Sequence, residues 1–76
     1  MKELVEVIVK TLVDNPNNVK VTEVMGNNVF IVEVRVDKGD MGKVIGKHGQ
    51  TASAIRTILN ATSAKLKRRA VLEILE

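Results

Sequence analysis

Two runs of β-branched residues, joined by a short turn, constrain the fold of this chain most strongly. The runs cover residues 19–25 and 29–36, and the Gly-Asn-Asn at 26–28 between them is a strong hairpin signal. Large apolar residues take every second position of the later run: Phe30, Val32, Val34 and Val36. This alternation suits an antiparallel sheet with one covered face. Because a two-stranded sheet is marginal by itself, a third strand and a covering layer are needed.

Helical segments flank the hairpin on both sides. Residues 2–14 are amphipathic at helical spacing, and Pro16 ends that helix. Asp40 is in position to cap a short helix over residues 41–45. After a glycine-rich turn, residues 50–64 carry apolar side chains at helical spacing. These segments provide the covering layer.

The end of the sequence supplies the third strand. Residues 65–68 are predicted to form a basic connection, and the alternating residues 69–75 a strand. The sequence thus predicts a single α+β domain over residues 1–76, a two-layer sandwich with three helices on one face of a three-stranded sheet, in the order α-β-β-α-α-β. Six apolar residues around the glycine-rich turn are expected in its core: Val44, Ile45, Ala52, Ile55, Ile58 and Leu59.

Composition excludes several classes of protein. The 76 residues include no cysteine and one histidine, so we predict no disulfide, no metal site and no cofactor. No apolar run approaches the ~20 residues of a membrane span, and the first residues lack a signal-peptide pattern. We therefore predict a cytoplasmic protein that does not contact membranes.

The positive charge is concentrated in the middle of the chain. Residues 35–69 contain nine lysines and arginines but only two aspartates, while the segments before and after them are acidic. Such a distribution suggests a polyanionic partner. On charge alone, a solvated cationic surface is an equally good explanation.

Three glycines at positions 42, 46 and 49 occupy the centre of this basic region, in "GKVIGKHGQT". A mononucleotide P-loop needs one more residue between its glycines and a Ser or Thr where His48 stands. A dinucleotide fingerprint needs a glycine at position 44, which is valine, and a preceding strand. Both nucleotide-binding motifs fail on spacing and on context.

The segment Gly46-Lys47-His48-Gly49 suits a different anion. Its glycines permit backbone angles closed to other residues, and they leave room for a ligand backbone to come close. The amides that open the following helix carry partial positive charge at the same place, beside Lys47 and the donor His48. This arrangement fits the sugar–phosphate backbone of a single strand better than a closed nucleotide pocket.

At "VIGKHGQTASAIRTIL", residues 44–59, the chain resembles the KH-domain signature, in which a hydrophobic-Ile-Gly-x-x-Gly stretch precedes a helix. The element order resembles the type II arrangement, and the whole chain resembles the small bacterial single-KH proteins of the KhpA family. The resemblance implies an RNA-binding protein, a post-transcriptional regulator or RNA chaperone, whose GXXG loop clamps about four nucleotides of single-stranded RNA. It also implies a homodimer, or a heterodimer with a larger KH-containing protein of the Jag type.

The resemblance and the local chemistry together nominate the RNA-binding residues. We expect phosphate contacts from Gly46, Lys47, His48, Gly49 and, one turn earlier, Lys43. Gln50 and Thr51 open the second helix, where helix capping explains them equally well, and Arg56 projects from it. Val44 and Ile55 are candidates for the aliphatic floor of a groove for bases. For the basic run Lys65, Lys67, Arg68 and Arg69, a second phosphate contact and a solvated loop stay equally open.

The composition also narrows the possible functions. Binders that stack bases on exposed aromatic rings are excluded, because the chain has one phenylalanine and no tyrosine or tryptophan. An enzyme is also not expected, because there is no cysteine and no pair of carboxylates beside the glycine turn. The leading hypothesis is RNA binding. The alternative is a protein-interaction subunit that dimerises with a larger Jag-type partner and contacts RNA only secondarily.

Overall fold

The computed structural model describes residues 2–76, which form three helices and three strands. In chain order the elements are α1 (Lys2–Leu12), β1 (Lys20–Gly26), β2 (Val29–Arg35), α2 (Met41–Ile45), α3 (Gln50–Lys65) and β3 (Arg69–Leu75). Single 3-10 turns precede three of them, at Pro16–Asn18, Lys38–Asp40 and Lys47–Gly49. The predicted fold class and element order are confirmed.

The hairpin forms where the sequence predicts it. Strands β1 and β2 pair antiparallel, with Gly26 opposite Val29, so the loop consists of Asn27 and Asn28. Asn28 has a φ of 62°. Tight hairpin turns require such positive angles, which asparagine tolerates better than most residues.

Strand β3 completes the sheet on the other side of β2, giving the order β1-β2-β3. It runs parallel to β2, with Val29 opposite Arg69 and Arg35 opposite Leu75. Parallel neighbours cannot be joined by a tight turn and need a long crossover. Residues 36–68, which contain α2 and α3, provide that crossover and carry the glycine-rich turn.

The core lies between the helical layer and one face of the sheet. Helix α1 packs against β1, and α3 packs against β3 and α2. Valine dominates the buried cluster, which contains Val5, Val9, Val13, Val21, Val32, Val34, Val36, Val44, Ile55, Leu59 and Leu72. None of the helices described within residues 2–76 packs on the opposite face of the sheet, which is called the open face below.

Two residues expected in the core lie at the surface. Ile45 is 38% exposed and Ile58 is 42% exposed, whereas Val44 and Leu59 beside them are buried. Successive residues of a helix point about 100° apart, so a neighbour of an inward-facing side chain can leave the core. The prediction for Ile45 and Ile58 is therefore wrong.

Asp40 joins α1 to α2 and does not cap α2 in the predicted way. It occupies the residue before α2, but its side chain makes no hydrogen bond to that helix. Instead its carboxylate, only 2% exposed, accepts hydrogen bonds from the backbone N–H groups of Asp14 (3.2 Å) and Asn15 (3.1 Å). The Asn15 side-chain amide donates a third bond of 3.3 Å. The predicted cap thus serves the end of another helix.

The surroundings of Asp40 favour its charged form. Burial raises the pKa of the carboxyl group, but the bonds from Asp14 and Asn15 and the charge of Lys43 outweigh it. The pKa lies below its usual 3.8. A carboxyl group with a lowered pKa stabilises the fold above its unfolded-state pKa. That contribution is lost as the pH falls through the folded-state value.

Replacing this carboxylate should destabilise the domain. We expect Asp40→Ala to lower the melting temperature at pH 7 by roughly 5–15 °C, because it removes three part-buried hydrogen bonds and leaves their donors without an acceptor. Asp37→Ala is the matched control, since Asp37 accepts one exposed bond from Asn18. Thermal unfolding followed by circular dichroism measures both. The difference between wild type and Asp40→Ala should shrink below about pH 4; equal effects of the two substitutions would contradict this role of Asp40.

Candidate functional site

The chain turns between α2 and α3 through Gly46-Lys47-His48-Gly49, which we call the GXXG loop. Three of its four residues have positive φ: Gly46 at 79°, His48 at 57° and Gly49 at 73°. The N–H of Gly46 donates to the Gly42 carbonyl at 2.8 Å and closes α2. The N–H of Gly49 donates to the Gly46 carbonyl at 3.0 Å and closes the loop. The loop is therefore a tight turn between two helices, as the sequence predicts.

Gly46 is required by the fold itself. Its φ of 79° and ψ of 167° lie in a region essentially restricted to glycine. A Cβ atom at this position would lie 2.6 Å from the Thr51 Cβ and 2.8 Å from the Thr51 backbone nitrogen. The first turn of α3 thus packs directly on the bare Cα of Gly46.

Gly49 has only a conformational reason to be glycine. Its left-handed φ of 73° disfavours other residues, but a Cβ atom here would meet nothing within 4 Å. The space beside Gly49 is open, so a ligand backbone can approach the chain closely there.

The hydrogen-bond donors of the loop face water. Lys47 and His48 are exposed, and no hydrogen bond or ion pair ties either side chain to another of the described residues. Gly49 occupies the cap position of α3 and offers no side chain to satisfy its first amides. Because α3 is 16 residues long, its start carries the full partial positive charge of a helix terminus. The loop and helix start together form an uncompensated cationic surface.

The structure brings some of the other nominated residues to this surface. Gln50 is exposed in the first turn of α3, and Thr51 is half-buried against Gly46. Arg56 is exposed farther along the helix. Gln50 and Thr51 thus lie beside the loop, while Arg56 lies farther along the exposed side of α3.

Lys43 is turned away from the loop. Its Nζ lies 3.1 Å from the Asp14 carboxylate and 3.9 Å from that of Asp40. The hydrogen bond to Asp14 raises the pKa of Lys43 above its ordinary 10.5. In this arrangement Lys43 neutralises the end of α1, and it reaches a ligand at the loop only by leaving both carboxylates.

Val44 and Ile55 belong to the core, where they are 0% and 3% exposed. Their side chains are closed to a ligand in this conformation. The aliphatic side chain that borders the loop at the surface is that of Ile45. Sequence reasoning assigned Ile45 to the core. In a helix of only five residues, periodicity does not show which side chains point inward.

Sequence reasoning also missed that Asp40 positions the site. By fixing the start of α2 to the end of α1, Asp40 sets the direction in which α2 delivers the loop. The only signal in the sequence was an acidic residue directly before a helix, and such a residue is equally well explained as a helix cap. Long-range hydrogen bonds of this kind have no pattern in the sequence.

The described residues form neither an enclosed pocket nor a metal-binding cluster. No enclosed cavity is found among residues 2–76, and within this range no group of His, Cys, Asp and Glu side chains could hold a metal ion. None of the helices described here is long and apolar enough to cross a membrane. The GXXG loop is thus the best-formed candidate in this part of the chain.

Comparison with known proteins decides the family. The sequence matches the family model described as "KhpA/KhpB, KH domain" over residues 2–74. The chain belongs to the KhpA/KhpB KH-domain family. A KhpA protein of Aquifex aeolicus, named "RNA-binding protein KhpA", is 51% identical over the whole chain and 96% of its own length. The protein of the same name from Clostridium perfringens is 52% identical over 99% of this chain and all of its own.

Other bacteria have similar KhpA proteins. That of Chlamydia trachomatis is 49% identical over the whole chain and 97% of its own length. No solved structure matches the chain significantly. The resemblance to a type II KH domain is confirmed, and so is the prediction that the chain is not an enzyme, because the KhpA relatives are named as binding proteins.

The two glycines of the KhpA-like loop should differ in their effect on stability. Gly46→Ala combines a glycine-only conformation with a clash against Thr51, so we expect it to lower the free energy of unfolding by about 3 kcal/mol or more. Gly49→Ala meets only the left-handed penalty of about 1 kcal/mol. Urea denaturation of both variants measures the difference. Equal losses would show that the packing of Thr51 on Gly46 does not matter.

Proposed function

We propose that this KhpA-family chain binds single-stranded RNA through its GXXG loop and acts as a post-transcriptional regulator or RNA chaperone in the cytoplasm. The observation that carries the proposal is the open space beside Gly49, next to two exposed donors and the start of α3. The names of the relatives, which are RNA-binding proteins, support the choice of RNA.

A strand of phosphates suits this surface better than a small ligand. Phosphate oxygens can accept bonds from the amides at the start of a helix and from Lys47 and His48. A free nucleotide or metabolite would need an enclosed pocket to bury its surface, and none is present among residues 2–76. The loop therefore holds the backbone of an extended polymer, as GXXG loops do.

The bases must be held without aromatic stacking. The one aromatic residue, Phe30, is 5% exposed and lies in the protein interior. We assign the apolar contact beside the loop to Ile45, which is exposed, and not to the buried Val44 and Ile55. Gln50, Thr51 and Arg56 can add polar contacts along the first turns of α3.

The loss of charge at the loop tests the proposal. We expect Lys47→Asp with His48→Asp to remove binding of a short oligoribonucleotide, because negative charge replaces two phosphate donors. Aspartate tolerates the left-handed angle of His48, so the fold should persist. Fluorescence anisotropy measures binding. For the wild type, ~3 phosphate contacts predict a slope of log affinity against log salt of about −2.

A charge-matched variant serves as the control. Asn17→Asp with Lys20→Asp makes the same change in net charge at two exposed positions outside the loop, and it should keep most of the affinity. Gly49→Ala is a milder probe, since its methyl group enters only the open space. Unchanged affinity in the folded Lys47/His48 variant would end the proposal.

The second candidate function is protein interaction, and one surface favours it. Ile58 is 42% exposed on the outer side of α3. Ala54 and Ala61, about one turn before and after it, are also exposed. Residues at this spacing lie along one helix face. This apolar stripe would pair with a second copy of the chain or with a larger KH-containing protein of the Jag type.

A mass measurement tests the stripe. If it is an interface between copies, the wild type should have the mass of a dimer by light scattering, and Ile58→Asp that of a monomer with an intact fold. Ile45→Asp is the control, because Ile45 is similarly exposed but borders the GXXG loop. A monomeric wild type, or a dimer unaffected by Ile58→Asp, would contradict the assignment.

A further inference from the structure

The basic run after α3 ends the helix in an unusual way. The N–H of Arg68 donates to the Ser63 carbonyl at 3.0 Å, and that of Lys67 donates to the Ala64 carbonyl at 3.1 Å. This pair of bonds is a Schellman motif, whose left-handed residue is usually glycine. Here that residue is Lys67, with a φ of 56°.

With a lysine in this position the fold is less stable than it would be with a glycine. The left-handed conformation is unfavourable for a residue with a Cβ. Places where a sequence breaks a local rule of this kind are expected at functional sites. The left-handed angle of Lys67 therefore supports a functional role for its side chain.

The four cations of the run have different surroundings. The Arg68 guanidinium lies 5.0 Å from the centre of the Phe30 ring and covers the end of the core. Arg69 pairs with Val29 in the sheet register and lies on the open face. Lys65 and Lys67 are exposed, and neither side chain is held by another of the residues that the structure describes. These two lysines form what we call the Lys65–Lys67 pair.

The segment that joins the GXXG loop to this pair carries no negative side chain. From Met41 to Leu72 the sequence contains no aspartate or glutamate. The GXXG loop and the Lys65–Lys67 pair lie at opposite ends of α3, whose 16 residues span roughly 24 Å. A stacked strand, at ~3.4 Å per nucleotide, covers that distance with about seven nucleotides.

We propose that the Lys65–Lys67 pair is a second phosphate-binding site, which holds the same RNA strand beyond the nucleotides at the GXXG loop. The inference rests on the proposed function and extends it. The strand crosses the carboxylate-free side of α3 with phosphates bound at both ends. Short RNAs of about four nucleotides reach only the loop, whereas longer ones engage both sites.

Oligomers of uridine of two lengths test this site. We expect the wild type to bind an oligomer of roughly twelve nucleotides about fivefold more tightly than one of about four, the gain expected from two exposed ion pairs. Lys65→Gln with Lys67→Gly should remove that gain and leave the short oligomer's affinity unchanged. The salt slope for the long oligomer should fall by about 1.4. Lys67→Gly should also raise the melting temperature, because glycine relieves the left-handed strain.

Lys20→Gln with Arg69→Gln is the matched control. It removes the same charge from the open face of the sheet and should preserve the length dependence. Equal losses in the two double variants would show a net-charge effect only, and a wild type that ignores RNA length would overturn the second site. In the latter case an acidic protein partner would become the better explanation of the pair. A separate measurement tests the GXXG site. If the Lys47→Asp, His48→Asp variant still binds the short oligomer, the proposed function of the GXXG loop is contradicted.

Discussion

The buried carboxylate of Asp40 is the interaction on which the geometry of the site depends. Helix α2 has only five residues, too few to be stable alone, and it must be held by its neighbours. The bonds from Asp14 and Asn15 to Asp40 fix its start, while Val44 anchors it in the core. The GXXG loop follows directly, so its position is set by a contact between residues 25 and 26 positions apart in the sequence.

Local patterns predicted most of the fold. The alternation of apolar and polar residues predicted β2, and the Gly-Asn-Asn sequence predicted the hairpin. Both features depend on residues that are neighbours in the chain. The boundaries of α2 and β3 were also predicted correctly. The parallel direction of β3 was not stated in advance. It follows from the two-helix crossover, which returns the chain to the end of the sheet where β2 begins.

The site was predictable in its loop and less so in its surroundings. Glycine spacing placed the GXXG loop between two helices, but it did not distinguish a glycine needed for packing, Gly46, from one that leaves open space, Gly49. Proximity to the loop nominated Lys43, which stays a prediction; its ion-pair partner Asp14 lies in the segment after α1. Periodicity placed Ile45 and Ile58 in the core because it does not resolve the edge of a buried helix face. The errors at Ile45 and Ile58 concern packing between helices and sheet, which no local pattern encodes.

The pairing of β3 with β2 has a consequence for how the molecule folds. The hairpin can form from adjacent residues, but β3 finds its place only after residues 36–68 have closed a large loop. Non-local pairings of this kind slow folding relative to a helical bundle of the same size. The GXXG loop lies inside that closing segment. The protein should therefore complete the surface proposed to bind RNA late in folding, when the final strand docks.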